Sequence, residues 1–173
     1  MSTDESATDR KLALLQGSAL FRRLPREELI ALADVSSLQM TSAGTQLIRA
    51  GDAGEMIYLL DDVPATVAWT REHDPVARTV GSTLLGWAAL IRPYSYIADV
   101  TVLTHCELLA VPASEVRRIV NEYPEVGLDV MNAVAAIARD RFVVAIARFS
   151  ERIVPRLPRA RVRPSIDDHA DDT

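Results

Sequence analysis

From Lys11 onward the chain alternates between two hydrophobic periods, and the switches between them mark its elements. Residues 11–16 form a short helical piece, and Leu24-Pro25-Arg26-Glu27-Glu28-Leu29-Ile30-Ala31-Leu32 reads as a turn feeding a second helix. Pro25 takes the first helical position, where a missing N–H costs nothing, and Glu27 and Glu28 suit the positive end of the helix dipole. Between Val35 and Val111 the pattern shortens to β-like runs broken by Gly, Pro and Asp. Strands are expected at 46–49, flanked by Gly44 and Gly51, and at 55–60, with a turn at 61–64. Further strands at 65–69 and 77–80 enclose a charged loop holding Arg71, Glu72, His73 and Asp74, and 101–104 with 107–111 close the β region. A helix then begins at Pro112, with Val116, Ile119 and Val120 on one face. Pro124 opens the longest periodic segment. Over 125–153 the positions Val130, Val134, Ile137 and Val144, and Met131, Ala138, Phe142, Ala145, Phe149 and Ile153, recur at helical spacing in a rod of about 40 Å.

The stretch that suggests chemistry lies at 84–100. An apolar run, Leu84-Leu85, reaches Gly86, passes through about one helical turn of Trp87-Ala88-Ala89-Leu90, breaks at Pro93 and re-enters a strand pattern at Ala98 and Val100. A helix starting at Gly86 has free backbone N–H groups and a positive dipole end, and the small side chains of Ala88 and Ala89 let an anion approach. Two readings are open: a phosphate cradle, or a buried strand-turn-strand with a helical corner.

Composition narrows the class. A length of 173 residues fits one domain, with a disordered lead at 1–10, the domain at 11–153 and a disordered Arg/Pro-then-acidic tail at 154–173. At 49% hydrophobic and 25% charged the chain is of ordinary globular make-up. The central uncharged run, 79–91, falls short of the ~20 residues a membrane span needs, so no membrane insertion is expected. The first ten residues carry no apolar segment of the secretory kind. One cysteine, Cys106, forbids an intrachain disulfide and points to a reducing cytoplasm. A net charge of −5 argues against a general nucleic-acid binder. His73, His105 and His169 have no ligand spacing, and His105 and Cys106, as strand neighbours, face opposite ways. No metal site or catalytic group is expected, and the chain reads as no enzyme.

Gly86, Ala89, Leu90, Ala98 and Val100 resemble, at the right spacing, the phosphate-binding cassette of the cyclic nucleotide-binding domain family: Gly-Glu, any residue, Ala-Leu, then Pro-Arg, any residue, Ala, any residue, Val. The lead Leu20, Phe21 and Leu24 is similar to the family's helical entry. The resemblance implies an α+β fold, an antiparallel β jelly roll or barrel with N-terminal helices and a long C-terminal helix at 125–153. It implies a regulatory role in bacterial signal transduction, with a cyclic nucleotide or other anionic small molecule as candidate ligand and Gly86, Trp87, Ala88, Ala89, Ser95 and Tyr96 as candidate contacts. Two positions depart from the family: Trp87 stands where it has the Glu that accepts from the ribose, and Tyr96 where it has the Arg that pairs with the cyclic phosphate. A bacterial subset with Gly-Trp and Pro-Tyr-Arg-Tyr is closer in wording, but Ser95 occupies the place of its Arg. Loss of a charge-assisted arginine contact costs about 1.5–3 kcal/mol, tenfold to over a hundredfold in affinity, so weak or lost cyclic AMP binding is expected. The other reading is a ligand-free scaffold whose old pocket is filled by Trp87, Tyr94 and Tyr96. In the family's transcription factors the C-helix pairs with a partner's, which implies a homodimer seam at Val134, Ala138, Phe142, Ala145 and Phe149; a different protein partner is the alternative. With no room for a helix-turn-helix in 154–173, direct DNA binding is not expected.

Overall fold

The computed structural model describes residues 3–60, 65–68, 77–79 and 83–153. The expected turn at 61–64, Trp69, the charged loop at 71–74, Val80, His169 and the tail at 154–173 lie outside the described residues.

Helix α1 runs Thr3–Gly17, so the lead expected to be disordered through residue 10 is helical from Thr3. Tertiary anchoring explains the difference. Leu15 is fully buried, Lys11 Nζ donates to the Ala33 carbonyl at 3.0 Å, and Arg10 reaches Glu107 at 3.3 Å. A helix of weak intrinsic amphipathicity is held by what it docks against. Helix α2, Arg26–Val35, is capped by Pro25, whose carbonyl accepts from Leu29 N–H.

The β region forms two four-stranded antiparallel sheets. Strands β1 (Ser37–Thr41), β8 (Cys106–Pro112), β3 (Met56–Leu60) and β6 (Thr83–Leu85) make the first, in the order β1-β8-β3-β6. Strands β2 (Gln46–Ile48), β7 (Asp99–Val102), β4 (Ala65–Ala68) and β5 (Ala77–Thr79) make the second, in the order β2-β7-β4-β5. This is the expected α+β jelly-roll arrangement, with a barrel that is not closed among the described residues. Strand β1 had no reading in the sequence because Met40 is 64% exposed and only Thr41 is buried, which leaves no alternation to detect. In β8 the positions Leu108, Leu109, Ala110 and Val111 are all buried, so both of its faces are covered, and α2 and α3 (Ala113–Glu122) pack on it. His105, just before β8, is exposed and Cys106, its first residue, is buried. Burial pushes the Cys106 thiol pKa up, away from reactive thiolate.

Helix α4, Pro124–Ile153, crosses α3 at Gly127, where a Cβ would sit 2.7 Å from the Val120 carbonyl oxygen. Its first half is core: Val130 and Val134 are 1% and 2% exposed. Val134 therefore does not belong to a dimer seam, because the domain already covers it. Beyond Ile137 the helix outruns that cover. Phe142, Val143 and Ile146 are exposed, Ala138 is half-buried, and the side chains of Ala145 and Phe149 lie outside the described residues. No described helix is long and apolar enough to cross a membrane.

The core is centred on Phe21, Leu32, Ile57, Leu108 and Ile119, all fully buried. Phe21→Ala is expected to cost about 3–5 kcal/mol, as large core truncations do, read as a fall in the midpoint of urea unfolding at unchanged slope.

Candidate functional site

Strand β6 stops at Leu85, and the chain must then leave the sheet. Gly86 makes that turn in the left-handed region, φ 82°, and a Cβ there would lie 2.8 Å from the Met56 carbonyl oxygen. Both facts demand glycine. Trp87–Leu90 follows as a single 3-10 turn, and its Ala89 amide donates to the Gly86 carbonyl at 2.9 Å.

The departure of β6 leaves a gap in the ladder of β3. Tyr58 pairs with Leu85, and Ala113 N–H bonds the Glu55 carbonyl from the β8 side. Antiparallel alternation then aims the Met56 N–H and C=O towards the β6 side, where no strand remains. The Tyr96 hydroxyl fills the gap, donating to Met56 O at 2.8 Å and accepting from Met56 N–H at 3.0 Å. Tyr96 is 8% exposed. Burial raises its pKa, partly offset by the backbone bonds, and the charges of Glu55 and Asp52 raise it further, so the phenol stays protonated and able to donate.

The second half of the segment is laced to the turn before β3. Gly51 N–H donates to Tyr96 O at 2.9 Å, Tyr96 N–H to Asp52 O at 3.0 Å, Gly54 N–H to Tyr94 O at 2.7 Å and Ala50 N–H to Asp99 Oδ1 at 2.8 Å. At Gly54 the packing is closer still: a Cβ would meet Cα and Cβ of Ala89 at 2.6 Å. From α3, Arg117 donates to the carbonyls of Ala89 at 2.8 Å and Gly54 at 3.2 Å, tying these two backbones together. Its guanidinium also lies 4.8 Å from the Tyr94 ring centre, with Arg92 at 5.4 Å from the same ring.

The cavity over this turn measures about 40 Å³, a fraction of the ~300 Å³ at which small-molecule sites begin. Gly86, Trp87, Ala88 and Tyr96 line it. Ala89 is fully buried behind it against Gly54, and Ser95 sits in an isolated bridge to Ala53, outside its wall. Tyr94 is also outside, on the α3 side with Arg117, so of the three aromatics expected to fill the old pocket it alone is placed elsewhere. Arg92 is exposed. The cation that reaches the cavity is Arg141 of α4. Sequence reading missed Arg141, Arg117, Gly54 and Asp99; only the Gly51–Gly54 spacing carried any signal for them.

No protein-family model and no curated protein matches the sequence. Its shape, however, is that of the cyclic nucleotide-binding domains. A Geobacter metallireducens GS-15 protein assigned by name to cyclic nucleotide binding superposes with a TM-score of 0.64 at 19% identity, over 82% of this chain and 99% of that one. The regulatory domain of Toxoplasma gondii protein kinase A, crystallised with cyclic AMP, gives 0.61 at 24% identity, over 68% of this chain and 46% of that one. The regulatory subunit of a cyclic-AMP-independent protein kinase A from Trypanosoma brucei gives 0.62 at 18% identity, over 80% and 50%. By their own descriptions, the similar structures thus include one bound to cyclic AMP and one from a cyclic-AMP-independent kinase.

Tyr96→Phe removes one hydroxyl but orphans two backbone groups of Met56. The expected loss is about 1–3 kcal/mol, with the Met56 amide exchanging its hydrogen faster than the global unfolding rate allows. An unchanged melting temperature would show that the ladder gap is filled some other way.

Proposed function

We propose that this chain is a non-catalytic regulatory module of the cyclic nucleotide-binding type whose cassette is closed, so that cyclic AMP binds weakly or not at all. The observation that carries this reading is the cavity of about 40 Å³ walled by Tyr96. An arginine waiting for a phosphate is incomplete without its ligand; Tyr96 is complete without one, since both functions of its hydroxyl are engaged by Met56. Admitting a nucleotide requires that clasp to open, which adds the cost of two buried bonds to the missing ribose and phosphate contacts. One cysteine and the absence of a long apolar helix among the described residues are consistent with a cytoplasmic setting.

Titration calorimetry with cyclic AMP and cyclic GMP tests the closed cassette, alongside melting at saturating ligand. Neither heat nor a shift is expected up to millimolar nucleotide. Occupancy at 100 times the dissociation constant adds ~2.7 kcal/mol of stability, so micromolar binding would be plain in the melt and would overturn the reading.

Output is assigned to α4. Phe142, Val143 and Ile146 are 64%, 59% and 49% exposed on consecutive turns beyond the domain's cover, and large apolar side chains grouped in this way mark an interface. A homodimer through this half of the helix is the reading we favour over a different protein partner. Light scattering is expected to give a dimer that Phe142→Glu converts to a folded monomer; a monomeric parent protein would favour the other partner.

A further inference from the structure

A second cavity, of about 510 Å³, lies between α1, β3, β6 and the middle of α4. Leu14 from α1, Leu60 from β3, Leu84 from β6 and Ile137 from α4 give it an apolar wall, and Arg10 and Asp140 also line it. Arg141 lines it as well as the small cavity over the cassette, and so stands in the partition between the two. Neighbouring charges are already matched elsewhere. Arg10 pairs with Glu107 at 3.3 Å, and the Asp140 carboxylate accepts from Arg139 Nη2 at 2.8 Å and Nε at 3.1 Å. Arg141 is half-buried and makes no hydrogen bond or ion pair among the described residues. Burial pushes its pKa down from the ordinary arginine value, with the nearby Asp140 opposing that shift.

A partly desolvated guanidinium without a hydrogen-bonded anion is costly, and here it faces a void of the size that holds small ligands. We propose that this cavity binds an organic anion with one acidic head and an apolar body, the acid on Arg141 and the body along Leu14, Leu60, Leu84 and Ile137. Size and chemistry both separate it from the cassette: the space is more than tenfold larger, and its wall offers hydrocarbon contact beside Arg141, with Arg10 and Asp140 engaged by other side chains, instead of a ribose and phosphate frame. Binding of cyclic AMP at the cassette would sink the closed-cassette reading and leave this proposal standing.

Decanoate and decan-1-ol, which share an apolar body and differ in the acid, are the probes for calorimetry on the full chain. Decanoate is expected to bind at least about tenfold more tightly, the least a charge-assisted contact contributes. Arg141→Gln should erase that preference while leaving decanol binding unchanged and the melting temperature no lower than the parent's, and Arg141→Lys should restore part of it. Ile137→Trp, which fills the cavity from α4, should abolish binding of both probes in a protein that still melts cooperatively. Absence of decanoate binding, equal affinity for acid and alcohol, or an Arg141→Gln protein that keeps the preference would each overturn the proposal.

Discussion

One phenol closes the place where strand β6 leaves β3. A sheet that loses a strand partway exposes an N–H and a C=O on its neighbour, and in a buried setting those groups must be satisfied. Tyr96 reaches back across the segment from residue 86 to residue 96 to satisfy both on Met56. Everything nearby is arranged around that return. Gly86 turns with no Cβ because the Met56 carbonyl is in the way. Gly54 has no Cβ because Ala89 is in the way, and Arg117 bonds the two carbonyls that this contact brings together. Strand β3, the turn before it, the 3-10 turn and α3 therefore behave as one braced unit, not as a loop laid over a sheet.

The electrostatic character of that unit differs from a site built to wait for an anion. A cradle with an arginine carries an unmet positive charge until phosphate arrives, and binding energy comes from meeting it. Here the cation that touches the cassette turn from α3 is already bonded to backbone carbonyls, the aromatic beside it is covered by two guanidinium groups, and the phenol is neutral. Within this unit the polar groups are matched to each other, and the cation at the cavity that is unpaired among the described residues, Arg141, comes from α4 outside it. Such a unit has its hydrogen bonds complete without a ligand.

The sequence made some of this legible and hid the rest for physical reasons. Helices α3 and α4 and strands β3 and β8 were readable because their apolar positions repeat over enough residues to fix a period. Gly86, Ala89, Leu90, Ala98 and Val100 marked the cassette because a tight turn and close backbone approach permit few residue types. Strand β1 escaped because both its faces are largely wet, and the start of α1 escaped because docking, not propensity, holds it. Arg117 acts on carbonyls 28 and 63 positions away in the chain, a relation that no local pattern records. Val134 shows a subtler limit. The seam reading grouped it with Phe142, but a shared helix says nothing of what covers each residue; α4 is core at Val134 and bare at Phe142.

That change of environment along a single helix has a mechanical consequence. Helix α4 starts locked into the core at Val130 and Val134, passes the large cavity at Ile137 and Arg141, and ends with Phe142, Val143 and Ile146 open to whatever meets them. A helix transmits a shift along its length because its hydrogen-bonded backbone is stiff. Whatever occupies the cavity touches the same rigid element as whatever covers the exposed turns, so the two events are linked in free energy if the helix has two placements that they favour unequally. That linkage would run both ways: a partner on Phe142 would tune the cavity as much as an anion on Arg141 would tune the partner. The braced cassette turn would then serve as the fixed wall against which α4 moves.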